Sequence, residues 1–296
     1  MDRDDNATEE AEAIGLVAGW GRYPLIVAES LRGQGYRVVG LGVRDHADPA
    51  LVALCDEFSW IGLATVGGAI RRFRRSGVRR AVMAGKIHKV MLYHPRWWVR
   101  HRPDWTALRT FCGQLIGAKD RNDDTLLSAI VEAYAAGGVR FEPATNFAPE
   151  LLVPPGQVAG QSLSNRQWKD VEFGWELAKE IGRLDVGQTV CVKDQGVLAV
   201  EAIEGTDQCI RRAGELCRQG GFTVVKVAKP QQDMRFDVPT VGVNTLQSIA
   251  AAGGRVLAIE AERTILLDAR QFHDAARGLK ISVVALHKHA GLERAA

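Results

Sequence analysis

The sequence predicts an α/β protein of two domains: an N-terminal Rossmann-like domain built on a parallel sheet, then a second, C-terminal α/β domain. Three stretches carry that expectation. Ile14 to Val43 read as strand, glycine turn, helix and strand, the βαβ unit that sets parallel strands side by side. Val190 to Val227 read as a hairpin, a helix and a third strand. Between them, VPPGQVAGQ has two prolines and two glycines in nine residues, the composition of a linker. The boundary is therefore expected near Pro154, with domains at 14–153 and 160–290. Length agrees, since 296 residues lie at the upper limit of a single core, roughly 250 to 300.

Composition narrows the class. Hydrophobic residues are 46% and charged residues 25% of the chain, the balance of a globular protein rather than a disordered or membrane-spanning one. No apolar run approaches the roughly 20 residues needed to span a bilayer, and MDRDDNATEEAEA is acidic where a signal peptide is basic and apolar. A net charge of +3 is too small to argue for a nucleic-acid partner. Cys55, Cys112, Cys191, Cys209 and Cys217 are scattered without a C-x-x-C pair. That excludes a disulfide framework and a zinc site as leading readings, and it fits a reducing, cytoplasmic compartment.

In the first domain, Ile14–Ala18 is a buried-strand pattern that enters Gly19-Trp20-Gly21-Arg22-Tyr23-Pro24 and a helix, LIVAESLRGQG, started by Pro24 and stopped by Gly33 or Gly35. Arg37–Val43 is the next strand. The turn lacks the third glycine of a dinucleotide fingerprint, because Pro24 stands there, and no acid ends the second strand, so an NAD site is not expected. Gly19 and Gly21 still offer backbone that could approach a phosphate at a helix N-terminus. Thr65–Ser76 is a helix carrying Arg71, Arg72, Arg74 and Arg75, read as a solvated basic face, a specific anion site or a surface for acidic phospholipid. Ala81–Ala84 is a strand that presents Gly85 and Lys86 at its carboxyl end, without the frame of a P-loop.

The segment 88–105 interleaves Trp97, Trp98 and Trp105 with Arg96, Arg100 and Arg102, which suits an acyl-chain or interdomain contact. His88, His94 and His101 do not share a helical face, so a histidine metal site is not expected. TLLSAIVEAYAAGG is a helix that Asp123 or Asp124 can cap, and both acids remain secondary phosphate or metal candidates. Val139–Phe141 and Thr145–Leu152 read as strand-like.

The second domain opens with an amphipathic helix, Trp168–Ile181. The GQTVCVKD strand follows, with a Lys193-Asp194-Gln195-Gly196 turn and a partner strand, then a helix entered through Glu204-Gly205-Thr206-Asp207. Phe222–Val227 is a strand, Thr245–Gly253 a short helix, RVLAIEAERTILLD a strand pair or one extended strand, and ISVVALHK a final strand. The loop Gln231-Gln232-Asp233-Met234-Arg235-Phe236-Asp237, after an apolar strand and before Pro239, gathers two carboxylates, two amides and a guanidinium. Loops of that kind carry function. In an extended conformation Asp233, Arg235 and Asp237 would share one side, and Gly205-Thr206 would offer bare N–H groups to a phosphate.

Taken together, IGLVAGWGRYP, MAGK, EAIEGTD and KVAKPQQDMRFDVPTVG resemble the UDP-2,3-diacylglucosamine pyrophosphatases of the LpxI type, from about Ile14 to about Lys288. The resemblance implies hydrolysis of the lipid nucleotide UDP-2,3-diacylglucosamine to UMP and 2,3-diacylglucosamine 1-phosphate, in lipid A biosynthesis. It implies Mg2+, with Mn2+ as an alternative, and puts catalysis on Asp233, Asp237 and Arg235, with Asp233 and Asp237 as metal ligands. Substrate contacts are implied for Gly19, Gly21, Gly85, Lys86, Glu204, Gly205, Thr206, Asp207, Lys229 and Gln232. The implied setting is cytoplasmic, in peripheral contact with the inner membrane surface and with a homodimer as an allowed assembly. The alternative from another class is a non-catalytic nucleotide-sugar or lipid-binding protein of the same build; a phosphotransferase acting on a nucleotide sugar is a third.

Overall fold

The computed structural model describes residues 11–87, 103–110 and 123–287. Segment 88–102, with its paired tryptophans and histidines, lies outside them, as do the side chains of Asp123 and Asp124. The chain divides into two units between Ala148 and Pro149.

In the first unit, β1 (Ala13–Ala18), β2 (Arg37–Val43), β3 (Glu57–Ile61), β4 (Arg80–Ala84) and β5 (Arg140–Glu142) form one parallel sheet in the order β3-β2-β1-β4-β5. Near-continuous apolar runs suit strands covered on both faces, and Ile14, Leu16, Val38 and Leu41 are fully buried. Helices α1 (Tyr23–Gly33), α2 (Leu51–Leu54), α3 (Val66–Arg75) and α4 (Asp123–Ala136) belong to this unit. The single turn α2 and the edge strand β3 were not legible in the sequence. Residues 145–152 do not form the expected strand. They make two 3-10 turns, Ala144–Asn146 and Pro149–Leu151, because Pro149 has no N–H to give a ladder and Phe147 and Leu151 turn into the core.

Neighbouring strands β4 and β5 are clasped by a bidentate pair, Arg80 Nε to Glu142 Oε1 at 2.8 Å and Nη2 to Oε2 at 2.9 Å. The guanidinium holds the Glu142 carboxyl below its ordinary range. Its stabilisation is therefore complete above the unfolded carboxyl's pKa, about 4.3, and is lost as pH falls through the lower folded value. With both groups partly wetted, Glu142→Gln should lower stability by about 1 kcal/mol at neutral pH. Urea midpoints for the two proteins should converge as pH drops below about 4; a gap that persists there would assign the loss to packing.

The second unit holds a six-stranded mixed sheet ordered β6-β13-β11-β9-β7-β8. Its strands are β6 (Gly156–Ala159), β7 (Thr189–Lys193), β8 (Gly196–Val200), β9 (Thr223–Lys226), β11 (Val256–Glu260) and β13 (Ser282–Leu286). β9, β11 and β13 run parallel, and β7 and β6 run antiparallel to β9 and β13. The residues expected as a linker are the edge strand β6, whose Gln157 pairs with Val284; prolines just before an edge strand cost no ladder bond. β7 and β8 join through Asp194 and Gln195 at φ 54° and 59°, the two left-handed positions of a tight hairpin turn. The Gln195 N–H donates to the buried Asp170 at 2.7 Å.

Helix α5 (Asn165–Arg183) starts with a Ser164/Gln167 capping box and packs Val171, Ala178 and Ile181 against Val190, Val225, Val256 and Val284. Gly174 permits the approach, because a Cβ there would lie 2.7 Å from Val225 Cγ2. Another core gathers α6 (Thr206–Leu216), α7 (Val243–Ala251) and α8 (Ala269–Leu279), with Ile210, Leu246, Ile249, Phe272 and Ala276 buried. RVLAIEAERTILLD forms two strands that do not pair with each other, since β12 (Ile265–Leu266) pairs with β10 (Thr240–Val241) in a sheet of its own.

Candidate active site

In the first unit the strand order reverses between β1 and β4, and ligands of open α/β sheets sit at the carboxyl ends of such a reversal. Gly19 and Gly21 follow β1 there, and Gly85 and Lys86 follow β4. The two turns are laced together: Gly19 N–H donates to Ala84 O at 2.8 Å, Trp20 N–H to Lys86 O at 2.8 Å, and Lys86 N–H to Trp20 O at 2.9 Å. A Cβ on Gly19 would lie 2.7 Å from Lys86 O, and Gly85 has φ 94°, so this contact depends on both glycines. One expectation changes. The Gly19 and Trp20 amides are spent on the neighbouring turn rather than offered to a phosphate, which leaves the open backbone at Gly21 and the exposed Lys86 ammonium.

In the second unit the carboxyl ends of β9 and β11, the start of β7 and the end of β8 share one edge. Two buried charges close the parallel strands, Lys226 and Glu260. Glu260 Oε2 accepts from Lys179 Nζ at 2.5 Å and from the Ala228 N–H at 2.8 Å, which fastens the exit of β9 to β11 and α5.

The polar loop Gln231–Asp237 begins three residues after Ala228 and is not extended. Lys229 N–H donates to Gln232 Oε1 at 2.8 Å, and Gln232 Nε2 donates to Asp237 Oδ2 at 2.6 Å. Phe236 and Asp237 N–H return to Asp233 O at 3.3 and 3.0 Å. The strand alternation expected for Asp233, Arg235 and Asp237 therefore fails; Gln232, buried at 6% exposure, pulls the loop into a closed turn by bonding both its entry and Asp237. Arg235 wraps onto Asp233, with its N–H and Nε on Oδ1 at 3.0 and 2.9 Å and Nη2 on Oδ2 at 2.5 Å. That guanidinium holds the Asp233 carboxyl below the usual range. Asp233 is thus an anion at neutral pH, able to bind a cation but not to donate a proton.

The remaining expected residues divide. Gly205 stands before α6 at φ 82°, and Thr206 opens the helix. The Thr206 hydroxyl donates to Glu201 Oε1 at 2.8 Å and accepts from Lys226 Nζ at 3.2 Å, and Lys226 also reaches Thr240 O at 3.3 Å. Thr206 is so connected to the exit of the polar loop. Glu204 accepts from Arg212 at 2.6 Å and Asp207 from Ser248 at 2.9 Å, which ties both to α6 and α7. Lys229 donates to Asp185 at 2.5 Å. Lys226, Lys179 and Glu260 were missed in the sequence, although each strand charge closes an otherwise apolar run, VVK and VLAIE.

The described residues include no group of three or more His, Cys, Asp or Glu able to cage a metal. A hard divalent cation that keeps its waters needs only one or two carboxylates beside substrate phosphates. The oxygens at this edge, from Asp233, Asp237 and the buried, unpartnered Glu201 Oε2, are donors of that chemistry.

Residues 13–151 match the family described as the LpxI N-terminal domain, and residues 154–284 match the LpxI C-terminal domain. A protein of Caulobacter vibrioides, UDP-2,3-diacylglucosamine pyrophosphatase LpxI, is 30% identical over 288 residues, covering 92% of this chain and 97% of that one. Among solved structures, a biotin carboxylase–βγ-ATP complex from Campylobacter jejuni overlaps 71% of this chain and 43% of its own at 14% identity and a TM-score of 0.24. The structure of gox2253 overlaps 90% and 84% at 13% identity and a TM-score of 0.27.

Proposed function

The chain belongs to the LpxI family, and from that premise we propose that it hydrolyses the pyrophosphate bond of UDP-2,3-diacylglucosamine, yielding UMP and 2,3-diacylglucosamine 1-phosphate in lipid A biosynthesis. The observation that supports this most is the closed turn 232–237, which concentrates Asp233, Arg235 and Asp237 after the carboxyl end of β9, one of the parallel strands of the mixed sheet. Pyrophosphate hydrolysis requires charge neutralisation on two phosphoryl groups and a water aligned with the breaking bond.

Asp233 and Asp237 would hold Mg2+ or Mn2+, which when bound supplies Lewis-acid neutralisation of the phosphoryl oxygens. Asp233 is kept ionised by Arg235, and the Arg235 guanidinium lies where it can also meet a phosphate. Thr206 and Lys226 present a hydroxyl and an ammonium at the start of α6, where bare N–H groups favour an anion. Water adds to the phosphorus on the sugar side, the bond from that phosphorus to the bridging oxygen breaks, and UMP leaves with the bridging oxygen. No helix among the described residues is long and apolar enough to cross a membrane; the lipid substrate is met, in this reading, at the cytoplasmic surface of the inner membrane.

Purified protein incubated with the lipid nucleotide in heavy-oxygen water, with and without magnesium, tests the reading. UMP should appear only with the metal, and the label should enter diacylglucosamine phosphate. Label in UMP would move the attack to the other phosphorus, whereas a melting shift without any product would favour the binding protein.

A further inference from the structure

Helix α3 turns Val66, Ala69, Ile70 and Phe73 inward and leaves Arg71, Arg72, Arg74 and Arg75 exposed, with Arg79 exposed just after it. The backbone bond from Arg140 N–H to Arg79 O, 2.8 Å long, sets a sixth exposed arginine beside them. None of the six lies within 4.0 Å of a carboxylate oxygen among the described residues, although Arg140 is close enough to the Glu142 carboxylate to help lower its pKa. Arginines in a last turn complement the helix dipole, but that effect is confined to the terminal turn and does not account for Arg71, Arg79 or Arg140. With a whole-chain charge of only +3, the concentration is local.

Apolar groups border this basic face. Asp104 accepts from the Gly68 N–H of α3 at 2.8 Å and from the Ala107 N–H at 2.9 Å, so it joins the start of α3 to the helical segment 105–110. A Cβ on Gly68 would lie 3.8 Å from Asp104 Oδ2 and 4.0 Å from Arg71 Nη2, which puts the Arg71 guanidinium beside that junction. The next residue is Trp105, 78% exposed, and Leu108 is 44% exposed. A duplex nucleic acid would reward the charge alone. An indole and a leucine offered to solvent beside exposed guanidiniums match a bilayer with anionic headgroups, where the cations meet phosphate and the apolar groups enter the acyl boundary.

We propose that the arginine face of α3, with Arg79, Arg140, Trp105 and Leu108, is the surface by which this protein binds an anionic phospholipid bilayer. The inference deepens the membrane-surface part of the proposed function and does not depend on the hydrolytic step. Its test is co-sedimentation at about 50 mM salt with vesicles containing about 30% phosphatidylglycerol, against vesicles of phosphatidylcholine alone and against a duplex RNA.

The wild type should bind the anionic vesicles and not the neutral ones. Neutralising Arg71, Arg72, Arg74 and Arg75 together to Gln should lower the partition coefficient by about 100-fold, and Trp105→Ala, which removes no charge, by about fivefold. Neutralising the exposed Arg211, Arg218, Arg270 and Arg277 removes the same charge elsewhere and should change it by less than about threefold. Melting curves of all variants check that each is folded. Equal losses in the two quadruple variants, equal binding to neutral vesicles, no binding by the wild type, or an α3-dependent affinity for RNA alone would each overturn the surface. Hydrolysis by the wild type in detergent micelles is followed in parallel; its absence with vesicle binding intact would count against the reaction and leave the surface standing.

Discussion

Asp233→Ala is expected to lower kcat by at least about a thousandfold while the protein stays folded, the scale on which removal of a charge-stabilising group or metal ligand acts. Asp233 is half-buried in a turn and contributes little to the core, and its partner Arg235 is 39% exposed, so water can take the place of the carboxylate beside the guanidinium. Stability should change by no more than about 1 kcal/mol. KM should move far less than kcat, because the carboxylate is assigned to the transition state and not to holding the acyl chains or uridine. Asp233→Asn, which keeps the shape and removes the charge, should be nearly as inactive. Turnover within tenfold of wild type in either variant would remove Asp233 from the chemistry and shift attention to Asp237 and Glu201.

Lys179→Ala should be the most destabilising polar substitution in the second unit, by about 3 kcal/mol, the low end of the cost of removing one partner of a buried ion pair, because Arg263 still faces Glu260 at 3.9 Å. The Glu260 side chain is only 3% exposed and that of Lys179 13%. Without the ammonium, Glu260 retains the Ala228 N–H and the half-exposed Arg263 guanidinium at 3.9 Å, too distant to replace the 2.5 Å contact to a buried carboxylate. The double variant Lys179→Met/Glu260→Leu should recover much of the loss, since two apolar groups of similar volume remove both charges together. It should not recover full activity, because Glu260 also fastens the backbone that leads into the loop at 229–237. Urea midpoints decide this; a loss below 1 kcal/mol for Lys179→Ala would mean that water reaches Glu260.

The alternation of apolar and turn residues made most of the architecture legible before any coordinates. Ile14 to Val43 and Val190 to Val227 formed the expected elements because their hydrophobic periods and turn residues agree locally, down to the two left-handed positions at Asp194 and Gln195. Elements whose signals are weak alone escaped notice. Gly156–Ala159 looked like a linker because the sequence of an edge strand does not state which strand it will join, and α8 became evident only through Phe272 and Ala276 entering the core.

Residue types at the candidate site were likewise readable from the sequence: carboxylates, amides and a guanidinium between an apolar strand and a proline, and a Gly-Thr pair at a helix start. Their conformation was decided by tertiary structure. Whether Asp233 and Asp237 share the side of a strand or close a turn depends on the Gln232 amide meeting Asp237, and on Glu260 and Lys179, distant in sequence, fixing where β9 ends. The same holds for Lys226, which in the sequence is one charge in an apolar run and in the fold stands against Thr206 and Thr240. Local propensity acts over a few residues and so determines elements and inventories; the pairing of charges distant in the chain follows from strand order, which no local pattern encodes.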